Sequence, residues 1–157
     1  MSLTIEELLC RESIRDLVAD YAVAEELGQG VGPVVNAFHP DGKLELSDGS
    51  IFHGHAEIEA LFTRIGKERT DRGGPDAYAR HCAYTCRFDF PCATEANTVS
   101  YMLTFSECGL DQVVTYYDAF VKENDRWFIR HRRVAMEYLA AKSRLTLPTT
   151  VVHARQK

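Results

Sequence analysis

The sequence has no long hydrophobic run and no block of like charges, and these absences exclude several classes of protein. No apolar stretch approaches the roughly 20 residues of a membrane-spanning helix, and the N-terminal MSLTIEELLCRES is acidic where a secretory signal is basic and then apolar. The formal net charge of -5 argues against sequence-independent nucleic-acid binding, which needs a lysine- and arginine-rich surface. The sequence therefore predicts a cytoplasmic protein that binds neither a membrane nor nucleic acid.

The sequence also lacks the short motifs of common cofactor and metal sites. Its five cysteines form no CxxC pair, which argues against structural zinc. The segment GQGVG follows a helical pattern and not a strand, so it does not fit a dinucleotide-binding turn. His53, His55 and Glu59 resemble a cupin metal motif, but cupin ligands lie on strands and the residues after His55 have helical period. We therefore expect no cofactor and no metal.

What remains is a chain of 157 residues, about the length of one domain. Its first part has the apolar spacing of an amphipathic helix, with Thr4 or Ser2 as the N-cap and GQGVG at its end. We expect one apolar stripe of this helix to face the core, with a break near Cys10 to Ser13. The stripe consists of Ile5, Leu8, Leu9, Ile14, Leu17, Val18, Tyr21 and Ala24.

The rest of the chain predicts an α+β domain. PVVNAF reads as a short helix before the turn HPDG, Asp48-Gly49 as a hairpin turn and AEIEALFTRIGKE as a third helix. Short connections then join four long strand-like segments, which should pair antiparallel and form a curved sheet with helices on one face. These segments are 78–90, 97–105, 112–122 and 127–138.

The segment ARHCAYTCRFDF contains a histidine in a strand pattern. Strict alternation puts His81 on one face with Ala83 and Thr85, whose small side chains would leave room for a ligand. A histidine titrates near neutral pH and can move a proton in either direction. The opposite face would carry Cys82, Tyr84, Cys86, Phe88 and Phe90, together with Tyr101, Leu103 and Phe105 from the next strand. Because this apolar face is too large to stay wet, we expect a homodimer or a homotrimer.

Several segments resemble, in their order and spacing, the SnoaL-like branch of the nuclear-transport-factor-2-like superfamily. They are IRDLVADYAVAEEL, FHPDGKLELSDGSIFHGHAEIEALF, Arg80-His81 and YYDAFVKENDRWFIRHRRV, and the resemblance extends from Ile5 to Val134. It implies a cone-shaped, mixed or antiparallel sheet wrapped around the N-terminal helices. We expect a domain over residues 1–140, with a tail over 141–157 that is either disordered or a lid on the pocket.

The resemblance also implies a catalytic site. In members similar to scytalone dehydratase, bile-acid dehydratase and hexachlorocyclohexane dehydrochlorinase, a histidine at the place of His81 pairs with an acid on the first helix. Counting from Tyr21 gives Glu26, where those relatives usually carry Asp. Glu25 stacks under Tyr21 by helical geometry, so the choice between the two glutamates stays open. Tyr21 itself would polarise a carbonyl or steady an enolate.

Two further segments supply polar residues for the interior. YYDAF puts Tyr116 and Asp118 on one strand face. An ion pair of Asp118 with Arg132 or Arg133 is one interpretation of the facing strands. In the other, Asp118 or an arginine such as Arg132 selects a polar group of the substrate. Thr85, Glu25 and Tyr116 complete the expected pocket.

Three functions are compatible with these residues. The first is a cofactor-independent lyase of the dehydratase type, which acts on a hydrophobic, cyclic or polyketide-like small molecule. The second is a non-catalytic module, either a ligand carrier or a partner like the small subunit of ring-hydroxylating dioxygenases. An isomerase or cyclase of the same fold is the third, because those reactions also use a base and an oxyanion stabiliser.

Overall fold

The computed structural model describes residues 3–24, 29–72, 78–143, 145 and 149–151, with the side chains of residues 69, 70, 72 and 85 left out. Within these ranges the chain forms three helices and six strands. They are α1 (Ile5–Ala24), α2 (Gly32–Asn36), β1 (Phe38–Glu45), β2 (Ile51–His53), α3 (Gly54–Arg72), β3 (Ala79–Cys92), β4 (Glu95–Ser106), β5 (Gly109–Glu123) and β6 (Arg126–Leu139).

The strands form one curved, unclosed sheet in the order β2-β1-β6-β5-β4-β3. Strands β3 to β6 are an antiparallel meander, while β1 pairs with β6 in parallel. The helices pack on one face of the sheet, which we call the inner face, and the opposite side is the outer face. The predicted α+β class and mixed sheet are confirmed.

Helix α1 begins where the sequence predicts, but a different side of the helix faces the core. Thr4 caps it in a reciprocal capping box, because the Glu7 backbone N–H donates to Thr4 Oγ1 and the Thr4 N–H donates to Glu7 Oε2. The helix is unbroken to Ala24, so at about 100° per residue Ile5 and Ile14 point in opposite directions. Ile14 is buried and Ile5 is 79% exposed. The prediction that Ile5, Leu8 and Leu9 face the core was therefore wrong.

Strand β3 contains a bulge that breaks the predicted alternation. Tyr84 pairs with Tyr101 and Cys86 pairs with Ser100, so Thr85 is an extra residue between two ladder positions. Because one extra residue reverses the faces, Tyr84 lies on the outer face and Cys86 on the inner face. The predicted apolar face is split: Cys82 and Tyr84 point outward, whereas Cys86, Phe88 and Phe90 point inward.

A second irregularity brings Arg132 inward. The register shifts between the pairs Ala119–His131 and Phe120–Ile129, which leaves Arg130 as the extra residue of β6. Ile129 and Arg132 consequently both lie on the inner face and are fully buried. Strict alternation along RWFIRHRRV would put Phe128, Arg130 and Arg132 on one face, but the extra residue separates Arg132 from Phe128.

The turns follow the sequence more closely. The Asp48-Gly49 hairpin joins β1 to β2 as predicted, with Gly49 in the left-handed region at φ +89°. Asn124 and Asp125 also have positive φ and form the tight turn between β5 and β6. The HPDG segment, predicted as a turn, lies within β1. Its pairing with β6 is nonetheless interrupted between Phe38 and Lys43.

The main hydrophobic core lies between the three helices and the β1–β6 part of the inner face. Phe38, Ile58 and Ile129 are fully buried there. A smaller cluster of Ala22 and Met102 with Val114 and Met136 lies beside it on the inner face. Among the described helices, none combines the length and the apolar composition needed to cross a membrane.

Candidate active site on the inner face of the sheet

A buried ion pair occupies the inner face where β5 and β6 adjoin. Asp118 and Arg132 are directly opposite in the ladder. Arg132 Nε donates to Asp118 Oδ1 at 2.8 Å and Arg132 Nη2 donates to Asp118 Oδ2 at 2.7 Å. Both side chains are inaccessible to solvent. Of the two arginines predicted as partners of Asp118, Arg132 forms the ion pair. Arg133 points outward, and its Cζ atom is 4.0 Å from the ring centroid of Tyr117.

Two tyrosine rings enclose the guanidinium. The Arg132 Cζ atom is 4.5 Å from the ring centroid of Tyr21 on α1 and 4.2 Å from that of Tyr116 on β5. Tyr21 is held in turn by edge contacts with Phe38 and Phe62. Aromatic faces attract a cation most strongly when water is excluded. The predicted residues Tyr21, Tyr116, Asp118 and Arg132 therefore form one cluster, which we call the arginine cluster.

One nitrogen of the arginine cluster is not used. Arg132 Nη1 is buried and has no hydrogen-bond partner among the described residues. Burial alone would lower the pKa of Arg132, but the charge and hydrogen bonds of Asp118 raise it above its ordinary value. The guanidinium thus stays charged, and leaving its N–H group unpaired is costly in the absence of a ligand. Such a donor is suited to a ligand oxygen.

His81 lies on the same inner face, at a separate position along the strands. It is partly buried and pairs across the ladder with Thr104, which is 1% exposed. Thr104 Oγ1 has no hydrogen-bond partner among the described residues. The rows of facing residues between the arginine cluster and His81 run as follows: Phe88, Thr98, Asp118 and Arg132; Cys86, Ser100, Tyr116 and Val134; Ala83, Met102, Val114 and Met136; then His81 and Thr104.

Small polar side chains line the inner face of β4. Thr98, Ser100, Thr104 and Ser106 alternate along the strand and all are buried. Their alternation is visible in the sequence NTVSYMLTFS, where it marks a polar inner face that was not among the predicted site residues. Burial raises the pKa of the nearby Cys86 thiol, an effect that a hydrogen bond with Thr98 partly offsets. Cys86 is therefore an uncharged part of the wall.

Three of the predicted site residues lie, wholly or in their side chains, outside the part of the chain that the structure describes. Glu25 and Glu26 lie outside the described residues, as does the side chain of Thr85, whose backbone forms the β3 bulge. Their expected roles stay predictions. Ala22, three and four residues before the two glutamates, packs against Met102, one row from His81.

The histidines of the cupin-like motif have other neighbours. His55 Nε2 is 2.8 Å from the Phe38 carbonyl oxygen, and Glu57 accepts a hydrogen bond from the His53 backbone N–H. Within the described ranges, no three His, Cys, Asp or Glu side chains come together as metal ligands would.

Part of the C-terminal segment contacts the site. Leu145 packs against the cluster of Met102, Val114 and Met136. Further along, the hydroxyls of Thr149 and Ser47 are 2.6 Å apart, and Val151 forms a parallel bridge with Met136. These described residues lie at the end of the inner face that carries His81.

Comparison with solved structures finds similar folds at low identity. A scytalone dehydratase-like protein from Novosphingobium aromaticivorans has a TM-score of 0.79 and 18% identity, covering 99% of this chain and 100% of that chain. For the hexachlorocyclohexane dehydrochlorinase LinA-type3 from Novosphingobium barchaimii the TM-score is 0.71, with 17% identity and coverage of 92% and 99%. ActVI-ORFA from Streptomyces coelicolor gives 0.69 and 15%, with coverage of 82% and 98%.

A search of curated proteins gives no match. The family model of the SnoaL-like domain, however, matches residues 6–133, which include both the arginine cluster and His81. The fold and this match agree with the resemblance seen in the sequence, and the chain belongs to the SnoaL-like domain family.

Proposed function

We propose that the protein is a cofactor-independent lyase of the dehydratase type, which acts on a hydrophobic, cyclic or polyketide-like small molecule bound against the inner face. The observation that carries the proposal is the unpaired, buried Arg132 Nη1 beside two tyrosine rings. A module that served only for assembly would gain more from hydrocarbon at this position, because an unsatisfied buried donor is destabilising. The structural neighbours named for dehydratase and dehydrochlorinase activities support the same class.

His81 is the proposed general base. Its imidazole would take the proton from the carbon next to a carbonyl, and the electrons of that C–H bond would form the enolate. The enolate would then collapse to a carbon–carbon double bond while the C–O bond to the hydroxyl breaks. The proton returns from the imidazolium to the departing hydroxyl, which leaves as water, so the step needs no oxidant or metal.

Glu26 or Glu25 is the proposed partner of His81. A carboxylate next to an imidazole fixes its tautomer and balances the charge that develops during proton transfer. Ala22 packs one row from His81. Because successive Cα atoms are about 3.8 Å apart, Glu26 begins within about 16 Å of Ala22 along the chain. The connection is short enough for either glutamate to take this role.

The arginine cluster would recognise an oxygen of the substrate. Since Asp118 neutralises Arg132, the pair carries no net charge, and its free N–H suits a carbonyl or hydroxyl oxygen better than a carboxylate. Tyr21, whose predicted role was to donate to the developing oxyanion or to the leaving hydroxyl, lies in this cluster, and we propose that it holds the same substrate oxygen as Arg132. A ligand that contacts both Arg132 and His81 must span the rows of Ser100 and Met102. This spacing favours an extended, polycyclic molecule.

We assign a lid role to the C-terminal segment and a cytoplasmic location to the protein as parts of the same proposal. Leu145 covers apolar residues one row from His81, and the Ser47–Thr149 contact would anchor the lid. The five cysteines are all free thiols, which is typical of a reducing compartment.

The test is turnover of a panel of cyclic β-hydroxyketones that become conjugated on losing water, followed by absorbance. His81→Ala should lower kcat by about 10²–10⁴-fold, the usual contribution of general acid–base catalysis. His131→Ala is the matched control, because that histidine lies on the outer face with Glu45.

Full turnover by His81→Ala would contradict the proposal. A second measurement separates the binding module from the enzyme, namely calorimetric titration of the same compounds with wild type and with Arg132→Lys. Tight binding of a compound that is never converted would favour a ligand carrier instead.

A further inference from the structure

Two apolar surfaces are exposed in the part of the chain that the structure describes. The helix patch consists of Leu3, Ile5, Leu8 and Leu9 at the start of α1. The aromatic patch, on the outer face of the sheet, consists of Tyr84, Tyr101, Phe105, Leu110, Tyr117 and Tyr138. We propose that the helix patch of one copy docks on the aromatic patch of a second copy.

The helix patch is a continuous surface. Ile5, Leu8 and Leu9 have i, i+3 and i+4 spacing, so their side chains are neighbours on one side of α1. That side points away from the core, since Ile5 is 79% and Leu9 63% exposed while Ile14 is fully buried. Single exposed leucines are ordinary, but a contiguous aliphatic surface at a helix end indicates a contact site.

The aromatic patch is continuous across the outer face. Tyr84 and Tyr101 pair across β3 and β4 with ring centroids 6.3 Å apart. Phe105 pairs with Leu110 on β5. These side chains are about 40–50% exposed, and exposed tyrosines combine large apolar area with little loss of side-chain entropy, as protein interfaces require.

The charges around the two patches are complementary. Glu6 and Asp16 are exposed carboxylates along the helix patch, whereas Glu12 is paired with Arg15, and Arg11 and Arg15 extend to the ring of Phe88. Acidic residues therefore dominate the border of the helix patch.

Exposed arginines border the aromatic patch, at Arg80, Arg87 and Arg133. Two of the carboxylates on the same face already have partners, since Glu45 contacts His131 and Glu137 accepts a hydrogen bond from Thr115. Opposite charges at the borders favour contact of unlike patches over contact of like patches.

The areas also match. At roughly 200 Å² for a fully exposed large side chain, the helix patch and the aromatic patch each expose on the order of 400–500 Å² of residue surface. One contact would then remove about 1,000 Å² from solvent before the charged borders are counted, close to the lower range of stable interfaces. Each copy carries both patches. Two copies can therefore make two such contacts with each other, or several copies can make one contact each and close a ring.

The test uses two variants at exposed positions, a helix variant (Ile5→Glu with Leu9→Glu) and a sheet variant (Tyr101→Glu with Phe105→Glu). Wild type should be oligomeric by sedimentation at micromolar concentration. Each variant alone should be monomeric, with association weakened at least about 100-fold because central apolar anchors are lost. A 1:1 mixture should associate more tightly than either variant alone, since it retains one intact patch of each kind.

The mixture makes the experiment decisive. A monomeric wild type overturns the proposal, as does an oligomer that persists in either variant or a mixture that does not associate. Ala60→Glu with Thr63→Glu, on the exposed side of α3, is the charge-matched control and should keep the wild-type mass. Circular dichroism verifies folding, and Ile5→Ser with Leu9→Ser replaces the helix variant if it unfolds.

Discussion

Each face of the sheet departs in part from the usual distribution of residues. The inner face buries an arginine, an aspartate and a row of hydroxyls, whereas the outer face exposes aromatic rings. In an ordinary domain the charges are exposed and the rings are buried. The two proposals assign a partner to each face, a hydrophobic small molecule to the inner face and a second copy of the chain to the outer face.

The largest expected effect comes from breaking the inner ion pair. Asp118→Ala leaves the fully buried charge of Arg132 without its partner, so the free energy of unfolding should fall by about 3–5 kcal/mol. Urea denaturation followed by circular dichroism measures the change. Arg64→Ala is the control, because it removes an exposed pair with Glu68 and should change the stability by less than about 1 kcal/mol.

A double variant sharpens this result. Asp118→Leu combined with Arg132→Met removes both charges and should be more stable than Asp118→Ala, since no unpaired charge stays buried. A double variant as unstable as Asp118→Ala would show that packing, and not charge, is what the pair contributes.

The next effect distinguishes two threonines on the same face of β4. Thr104→Val removes a buried hydroxyl without a partner in the described part of the chain, so it should raise the free energy of unfolding by about 1 kcal/mol. Thr98→Val removes a hydrogen bond to Cys86 and should lower it by about 1 kcal/mol. Thermal unfolding measures both changes. If the two substitutions changed the free energy of unfolding in the same direction, the contrast between the unpaired and the paired hydroxyl would be wrong.

The smallest effect compares two thiols of β3. The pKa of Cys86 is raised, mainly by burial, whereas hydrogen bonds from Thr94 lower the pKa of the exposed Cys92. As pH rises, Cys92 therefore forms its reactive thiolate first. Near neutral pH iodoacetamide should label Cys92 at least about tenfold faster than Cys86.

Peptide mass spectrometry gives both labelling rates. In urea the two rates should converge, since both pKa shifts depend on the fold. Equal rates in the native protein would place Cys86 in an environment as open as that of Cys92.

Local sequence patterns predicted much of this architecture. The Thr4 cap, the Asp48-Gly49 turn and the strand segments depend on neighbours within a few residues, and the structure contains all of them. Alternation also paired Asp118 with one of two arginines. The strand pattern singled out His81, and the resemblance supplied its pairing with a glutamate of the first helix, which stays a prediction.

Long-range packing decided the rest. A strand pattern does not indicate where an extra residue will bulge, because a bulge depends on the neighbouring strand; the extra residues at Thr85 and Arg130 reassigned whole faces. Likewise, helical period does not say which side of a long helix meets the sheet. The first half of α1 therefore ended on the solvent side.

The sequence by itself determined the elements of this protein, their order and the residue types available for chemistry, because these follow from local periodicity and turn geometry. Only the tertiary structure decided which side chains share a face. Register and burial are set by partners distant in the chain, and they enclosed Arg132 between Tyr21 and Tyr116 and left Ile5 exposed.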